Sequence, residues 1–302
     1  MKNTAGMSQQ AIDLIKACES ADTLAPDRDN IEAYRKFTGD EFRPRAERAL
    51  EKNNVETREC IIGGISCLEV LPKNSVPTGT LLYGFGGGFV SGSPYEDLIV
   101  TAPVCAKTDM RVICPNYRLA PEHPWPAAID DGFAVYQELA RQGPFSIMGE
   151  SAGGNFALSL CHRAKAHGLA LPTAMVLLSP WCDLEQAGES LRSNDGRDPT
   201  LTYDINNTAV ELYAGSNDCE NPDISPLNGA FDDSYPPTLI TSGSRDLLLS
   251  HCLRLSRTMR NAGIATRLDV WEGMWHVFEF YDELPEARES LLEISGFLKA
   301  HG

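Results

Sequence analysis

Gly149-Glu150-Ser151-Ala152-Gly153 is a G-x-S-x-G pentapeptide, and its neighbours decide what it means. Before it runs Phe145-Ser146-Ile147-Met148, a short β-prone segment that follows Gly143-Pro144. After it, Ala152 to Ala166 is rich in Ala and Leu and closes with His167-Gly168, where Gly168 is a helix stop signal. Strand, sharp turn and helix in that order make the pentapeptide a nucleophile elbow. The flanking glycines are needed because a β-carbon beside the turn would strike the neighbouring strand or helix. The turn holds Ser151 in a strained main-chain conformation and lifts its Oγ above the sheet, over a helix N-terminus that favours negative charge.

Composition narrows what such a serine serves. The chain has 302 residues, long for one plain domain and suited to a large α/β enzyme with an added lid. Hydrophobic residues make up 42% and charged residues 23%, an ordinary globular balance. The net charge of -16 argues against nucleic acid and against anionic membrane surfaces as partners. No apolar run approaches the roughly 18 residues that span a bilayer. Met1 to Ser20 has no apolar core of a signal peptide. The nine cysteines form no CxxC pair and lie in apolar stretches such as Val112-Ile113-Cys114. They read as buried free thiols of a reducing cytoplasm, with no metal site among them.

Around the elbow the chain alternates strands and helices. Ser8 caps a helix running to about Ala21, with Ile12, Ile15 and Cys18 on one face. A second helix carries Ile31, Tyr34 and Phe37 and stops near Gly39. Val55 to Ile62 and Ile65 to Val70 flank Gly63-Gly64, a hairpin signal. Further strands are expected at Thr80 to Tyr83, Arg111 to Cys114, Ala174 to Leu178, Thr238 to Thr241 and Thr266 to Trp271. Further helices are expected at Ala127 to Arg141, Leu247 to Arg260 and Pro285 to Ala300. Buried strands alternating with helices mean a mainly parallel sheet with both faces covered. Leu184 to about Phe231 shows no clear strand and reads as an inserted, partly helical segment.

A serine hydroxyl needs a base. Of the six histidines, His162 and His167 follow the elbow on its helix, His251 falls inside a later helix, His301 is terminal and His123 sits in a Pro-rich turn. His276 alone follows a strand directly, in Glu272-Gly273-Met274-Trp275-His276, and in a parallel sheet that loop opens at the elbow's edge. The base needs a carboxylate. Asp246 follows the strand at Thr238 to Thr241, and Asp183 follows the strand at Ala174 to Leu178. Asp246 is preferred because strand order sets it beside the His276 loop, with Asp183 as a cap or lid anchor. Gly86-Gly87-Gly88 offers amides unobstructed by side chains for an oxyanion. Gly86 and Gly87 are the expected donors, with Ala152 N–H as the third.

These residues together resemble the hormone-sensitive-lipase-like family of α/β-hydrolases, the bacterial family IV esterases. Gly86-Gly87-Gly88-Phe89 with Gly92-Ser93, Asn116-Tyr117-Arg118-Leu119-Ala120-Pro121-Glu122-His123-Pro124 with Pro126-Ala127-Ala128, Gly149 to Gly154, and the Asp246 and His276 loops carry the resemblance. The order Ser151, Asp246, His276 is also that of α/β-hydrolases. The resemblance implies an eight-stranded, mainly parallel sheet with helices on both faces and a helical cap. It divides the chain into cap residues 1–53 and 184–231 and core residues 54–183 and 232–302. It implies hydrolysis of short-chain carboxylic esters, a small-molecule substrate, no cofactor and no metal, and it leaves a homodimer open. Lactones, amides, carbamates or acyl transfer are alternatives on the same triad. Plant gibberellin receptors resemble the family but have lost the histidine that His276 supplies here. Tyr117 to Pro124, with a buried Arg118, is expected to brace the loops below the site. Phe85 stands where the family has histidine, so its ring must hold the glycine loop by packing, against aromatics such as Phe89 or Tyr95.

Overall fold

In the computed structural model, which describes residues 6–19 and 24–302, the chain builds one eight-stranded sheet. Its strands are β1 (Val55–Ile62), β2 (Ile65–Pro72), β3 (Thr80–Gly84), β4 (Arg111–Pro115), β5 (Ser146–Glu150), β6 (Met175–Leu178), β7 (Thr238–Gly243) and β8 (Thr266–Trp271). The spatial order is β1-β2-β4-β3-β5-β6-β7-β8. β1 with β2 and β2 with β4 are antiparallel, and every other pair is parallel. The central strands β5, β6 and β7 are buried along their whole length. Full burial of a parallel strand requires cover on both faces, which is why these strands read as unbroken apolar runs rather than alternating ones.

The cover is helical. α3 (Leu98–Thr108) packs on α9 (Pro285–His301), and α4 (Ala127–Gln142) packs on α5 (Ala152–Ala166), while α8 (Leu249–Asn261) covers β7 and β8. The described residues also form α1 (Gln9–Glu19), α2 (Ile31–Lys52), α6 (Ser190–Ser193) and α7 (Tyr203–Ala214). Residues 184–231 contain α6, α7 and a 3₁₀ turn, and no strand. Among the described residues no helix is long and apolar enough to cross a membrane.

One local expectation changes, and one helix has no counterpart in the sequence reading. The second helix does not stop at Gly39 but runs on to Lys52 with Pro44 inside it. Gly39 sits close to Glu96, where a Cβ would lie 3.2 Å from Oε1, the end of a side chain that can give way by a few tenths of an ångström. α3 gives no amphipathic signal because nine of its eleven residues are buried, so no polar face marks its period. The cap of α1 is as expected, with Ser8 Oγ accepting from Ala11 N–H at 3.2 Å; its expected end at Ala21 lies outside the described residues. Ala11 and Ile15 bury α1 against Met274, Trp275 and Phe278, so this helix supports the loop that carries His276.

Candidate active site

Ser151 joins β5 to α5 at φ +52° and ψ -117°. A non-glycine residue at positive φ is strained, and the surroundings must hold it there. Ser151 N–H donates to Leu178 O at 2.9 Å, and Ser151 O accepts from Trp181 N–H at 2.8 Å. The elbow glycines are a matter of clearance. A Cβ on Gly149 would lie 2.0 Å from Gly153 O, and one on Gly153 would lie 1.9 Å from Gly84 O.

β7 ends at Gly243, and the turn after it carries Asp246, which is 0% exposed. β8 ends at Trp271, and its following loop brings His276 alongside. His276 Nδ1 lies 3.0 Å from Asp246 Oδ1, and His276 Nε2 lies 2.9 Å from Ser151 Oγ. Burial pushes the Asp246 carboxyl up. The charge and hydrogen bond of His276, together with the Ser179 and Ser242 hydroxyls, outweigh burial and hold it below the usual carboxylate range. An ionised Asp246 accepts from Nδ1–H, which leaves Nε2 to accept from the serine hydroxyl. Burial pushes His276 down, but the Asp246 charge and hydrogen bond, and the charges of Asp198 and Glu279, raise it above its ordinary value.

Asp183 lies elsewhere. Its carboxylate is bonded by Arg254 and accepts from Glu185 N–H at 3.1 Å. Arg118 is exposed rather than buried, and grips the buried Asp131 through Nε at 2.9 Å and Nη2 at 2.8 Å. The brace under the glycine loop is Tyr117, whose hydroxyl donates to Phe85 O at 2.5 Å. Phe85 is fully buried and stacks on the Tyr117 ring at 3.9 Å, not on Phe89 or Tyr95. Phe89 stacks instead on Tyr213.

The expected donor Gly86 is already committed. Its N–H bonds to the buried Glu150 carboxylate, and a Cβ on Gly86 would lie 2.0 Å from Glu150 Oε1. Gly87 and Gly88 sit at φ +89° and +63°, a region open to glycine, and neither amide donates to a main-chain acceptor among the described residues. Ala152 N–H, in the first turn of α5, is an amide that no preceding turn can satisfy. A cavity of about 160 Å³ is lined by Gly86, Gly87, Gly88, Glu150, Ser151 and His276. It is also lined by Tyr34 and Phe42 of α2, by Trp181, and by Leu201, Ile205 and Ala209 of the inserted segment. Among the described residues no group of His, Cys, Asp or Glu is arranged to hold a metal ion.

Residues 81–280 match the α/β-hydrolase fold family. The chain belongs to that family. It is 34% identical over 252 residues to an esterase of Acinetobacter venetianus, covering 80% of this chain and 82% of that protein. It is 33% identical over 226 residues to an acetyl-hydrolase of Streptomyces hygroscopicus, covering 73% and 75%. The crystal structure of a hormone-sensitive lipase from a metagenome library superposes with a TM-score of 0.88 at 30% identity, over 97% of this chain and 99% of the other. The structure of esterase E25 gives 0.90 at 30% identity, over 98% and 95%. This α/β-hydrolase is thus of the hormone-sensitive-lipase-like branch, and it is a hydrolase.

Several residues of the hydrolase's site carry no sequence signal. Ser242 Oγ donates to Asp246 Oδ2 at 2.7 Å, and Ser179 Oγ accepts from Val277 N–H at 3.2 Å. Asp198 also reaches the site, from a segment far away along the chain. Only the Asp-Pro-Thr turn signature at 198–200 marks it as a loop residue, and that signature says nothing of the site.

Proposed function

We propose that this hydrolase is a serine carboxylesterase acting on short-chain carboxylic esters through an acyl-enzyme. One observation carries the reading: the hydrogen-bonded line from Ser151 Oγ through His276 to Asp246, with its serine end in the cavity. His276 Nε2 takes the hydroxyl proton as Ser151 Oγ attacks the ester carbonyl carbon. The developing imidazolium is held by Asp246, whose low carboxyl stays ionised. The carbonyl oxygen becomes an oxyanion facing the amides of Gly87 and Ala152, with Gly88 in the role first expected of Gly86. His276 then gives the proton to the departing alkoxide, and the acyl group remains on Ser151. Water, deprotonated by the same imidazole, attacks the acyl carbon; the Ser151 Oγ–acyl bond breaks, the imidazolium returns its proton to Oγ, and the acid is released.

The relatives named esterase and acetyl-hydrolase support the ester class. The aromatic and apolar wall beside Ser151, with Tyr34, Phe42, Trp181 and Leu201, supports short chains. The test is kcat/KM over p-nitrophenyl esters from acetyl to palmitoyl, beside lactones and aryl amides. Esters of two to six carbons should exceed those of twelve or more by about a hundredfold, as pocket fit differs by a few kcal/mol. Faster turnover of lactones or amides would reassign the substrate, and inactivity on every class would overturn the enzyme reading.

A further inference from the structure

The Asp198 carboxylate does something the triad does not explain. It is 4% exposed and lies between α6 and α7. Oδ1 accepts from Thr200 N–H at 2.9 Å, Thr200 Oγ1 at 3.0 Å and Leu201 N–H at 3.1 Å. Oδ2 accepts from Leu247 N–H at 3.0 Å and from His276 N–H at 3.1 Å. Leu247 follows Asp246 directly, so one oxygen pins both the turn after β7 and the loop after β8. The other oxygen pins Thr200 and Leu201, which line the cavity.

On the reading of this chain as a serine esterase, we propose that Asp198 is a positioning residue for the reaction, setting the main chains of Asp246 and His276 against each other and tying both to the cavity wall. Asp246 and His276 hang from different strands, and the direct bonds between their loops, Arg245 N–H to Met274 O at 2.8 Å and Gly273 N–H to Ser244 Oγ at 2.7 Å, lie before both residues. Past that point a shared acceptor ties the loops, because a shift of either one stretches a bond to the same oxygen. Four of the five donors are main-chain amides that cannot accept, so the ionised form is the one the site satisfies. Burial and the Asp246 charge push the Asp198 carboxyl up, while His276 and the Thr200 and Leu247 amides oppose them. The imidazole faces Asp246, Asp198 and Glu279, with the neutral-prone His251 behind. Asp198 in turn faces Asp246, His276, Tyr281 and Cys18. Its negative charge therefore favours the imidazolium formed during attack.

The experiment is kcat/KM against pH with p-nitrophenyl butyrate for the wild type, Asp198→Asn and Asp198→Glu. Asp198→Asn should lower the plateau about tenfold to a hundredfold, the scale of a small misplacement of reacting groups. It should also move the acid limb about half a unit to one unit toward lower pH, because a charge that favoured the imidazolium is gone. Asp198→Glu keeps the charge and should keep the limb at its wild-type position. A merely structural aspartate would change rate and melting temperature without moving the limb. If Asp198→Asn does not fold, Asp198→Ser carries the same measurement, its hydroxyl still accepting from the Thr200 and Leu201 amides. An unmoved limb, an unchanged plateau, or failure of both variants to fold overturns the proposal. A wild type inactive on all esters would instead overturn the esterase reading.

Discussion

At φ +52°, Ser151 is held by its neighbours, through Leu178 O and Trp181 N–H. Asp246 and Asp183 illustrate how alike two aspartates look in sequence and how differently they are used. Both follow a buried parallel strand, and both are buried. Asp246 touches the imidazole, whereas Asp183 is bonded by Arg254. Asp246→Asn should therefore cost about 10⁴-fold in kcat, since the amide favours the wrong imidazole tautomer. Asp183→Asn should stay within about tenfold of the wild-type rate while lowering the melting temperature, as a paired carboxylate is lost. Steady-state kinetics and calorimetry on both variants check this, and a crippled Asp183→Asn would reverse the assignment. That Ser151, Asp246 and His276 would meet was legible because motif, strand order and chain order each constrain them. Gly86 was misjudged as a donor because nothing in the glycine run reveals that the Glu150 side chain lies against it. The same Glu150 had no account from sequence. In the structure it is an acceptor for the glycine loop, with burial first and the Asp97 charge second pushing its carboxyl well up.

Among the elements, the strands were legible and the helices less so. β5, β6 and β7 announce themselves because two-sided burial makes them continuous apolar runs. α3 did not, because a helix buried all round has no period to read, and Pro103 inside it adds a stop signal that the fold overrides. Gly39 and Pro44 similarly hid the second half of α2, where packing decides against propensity. α1 has a consequence for chemistry, since it packs on Met274 and Trp275 just before His276. Ile15→Ala, at a site 6% exposed, should cost about 2–4 kcal/mol of stability. It should also lower kcat/KM, because it loosens the histidine loop, which carries His276 and lines the cavity. Denaturant unfolding and kinetics on this variant check both; an unchanged kcat/KM with a lowered melting temperature would confine α1 to stability.

The whole molecule carries 42 acidic against 26 basic residues, a net charge of -16. Most of its ion pairs are at least partly exposed, such as Arg35 with Glu122 and Arg45 with Glu283, and such pairs contribute little each. The excess of like charge opposes compactness, and added salt screens it. The melting temperature should therefore rise by a few degrees between about 10 mM and 500 mM sodium chloride, over which the screening length falls from roughly 30 Å to a few Å. Scanning calorimetry across that range measures it. A fall with salt would mean that the ion pairs outweigh the repulsion.

The central claim is that one hydroxyl does the chemistry, and removing it is the most direct test. Ser151→Ala deletes Oγ and the bond to His276 Nε2, while a small side chain keeps the elbow's clearance. Measured with p-nitrophenyl acetate beside the wild type, kcat should fall by about 10⁴ to 10⁶-fold with the melting temperature nearly unchanged. Hydrolysis by that variant at close to the wild-type rate would contradict the account.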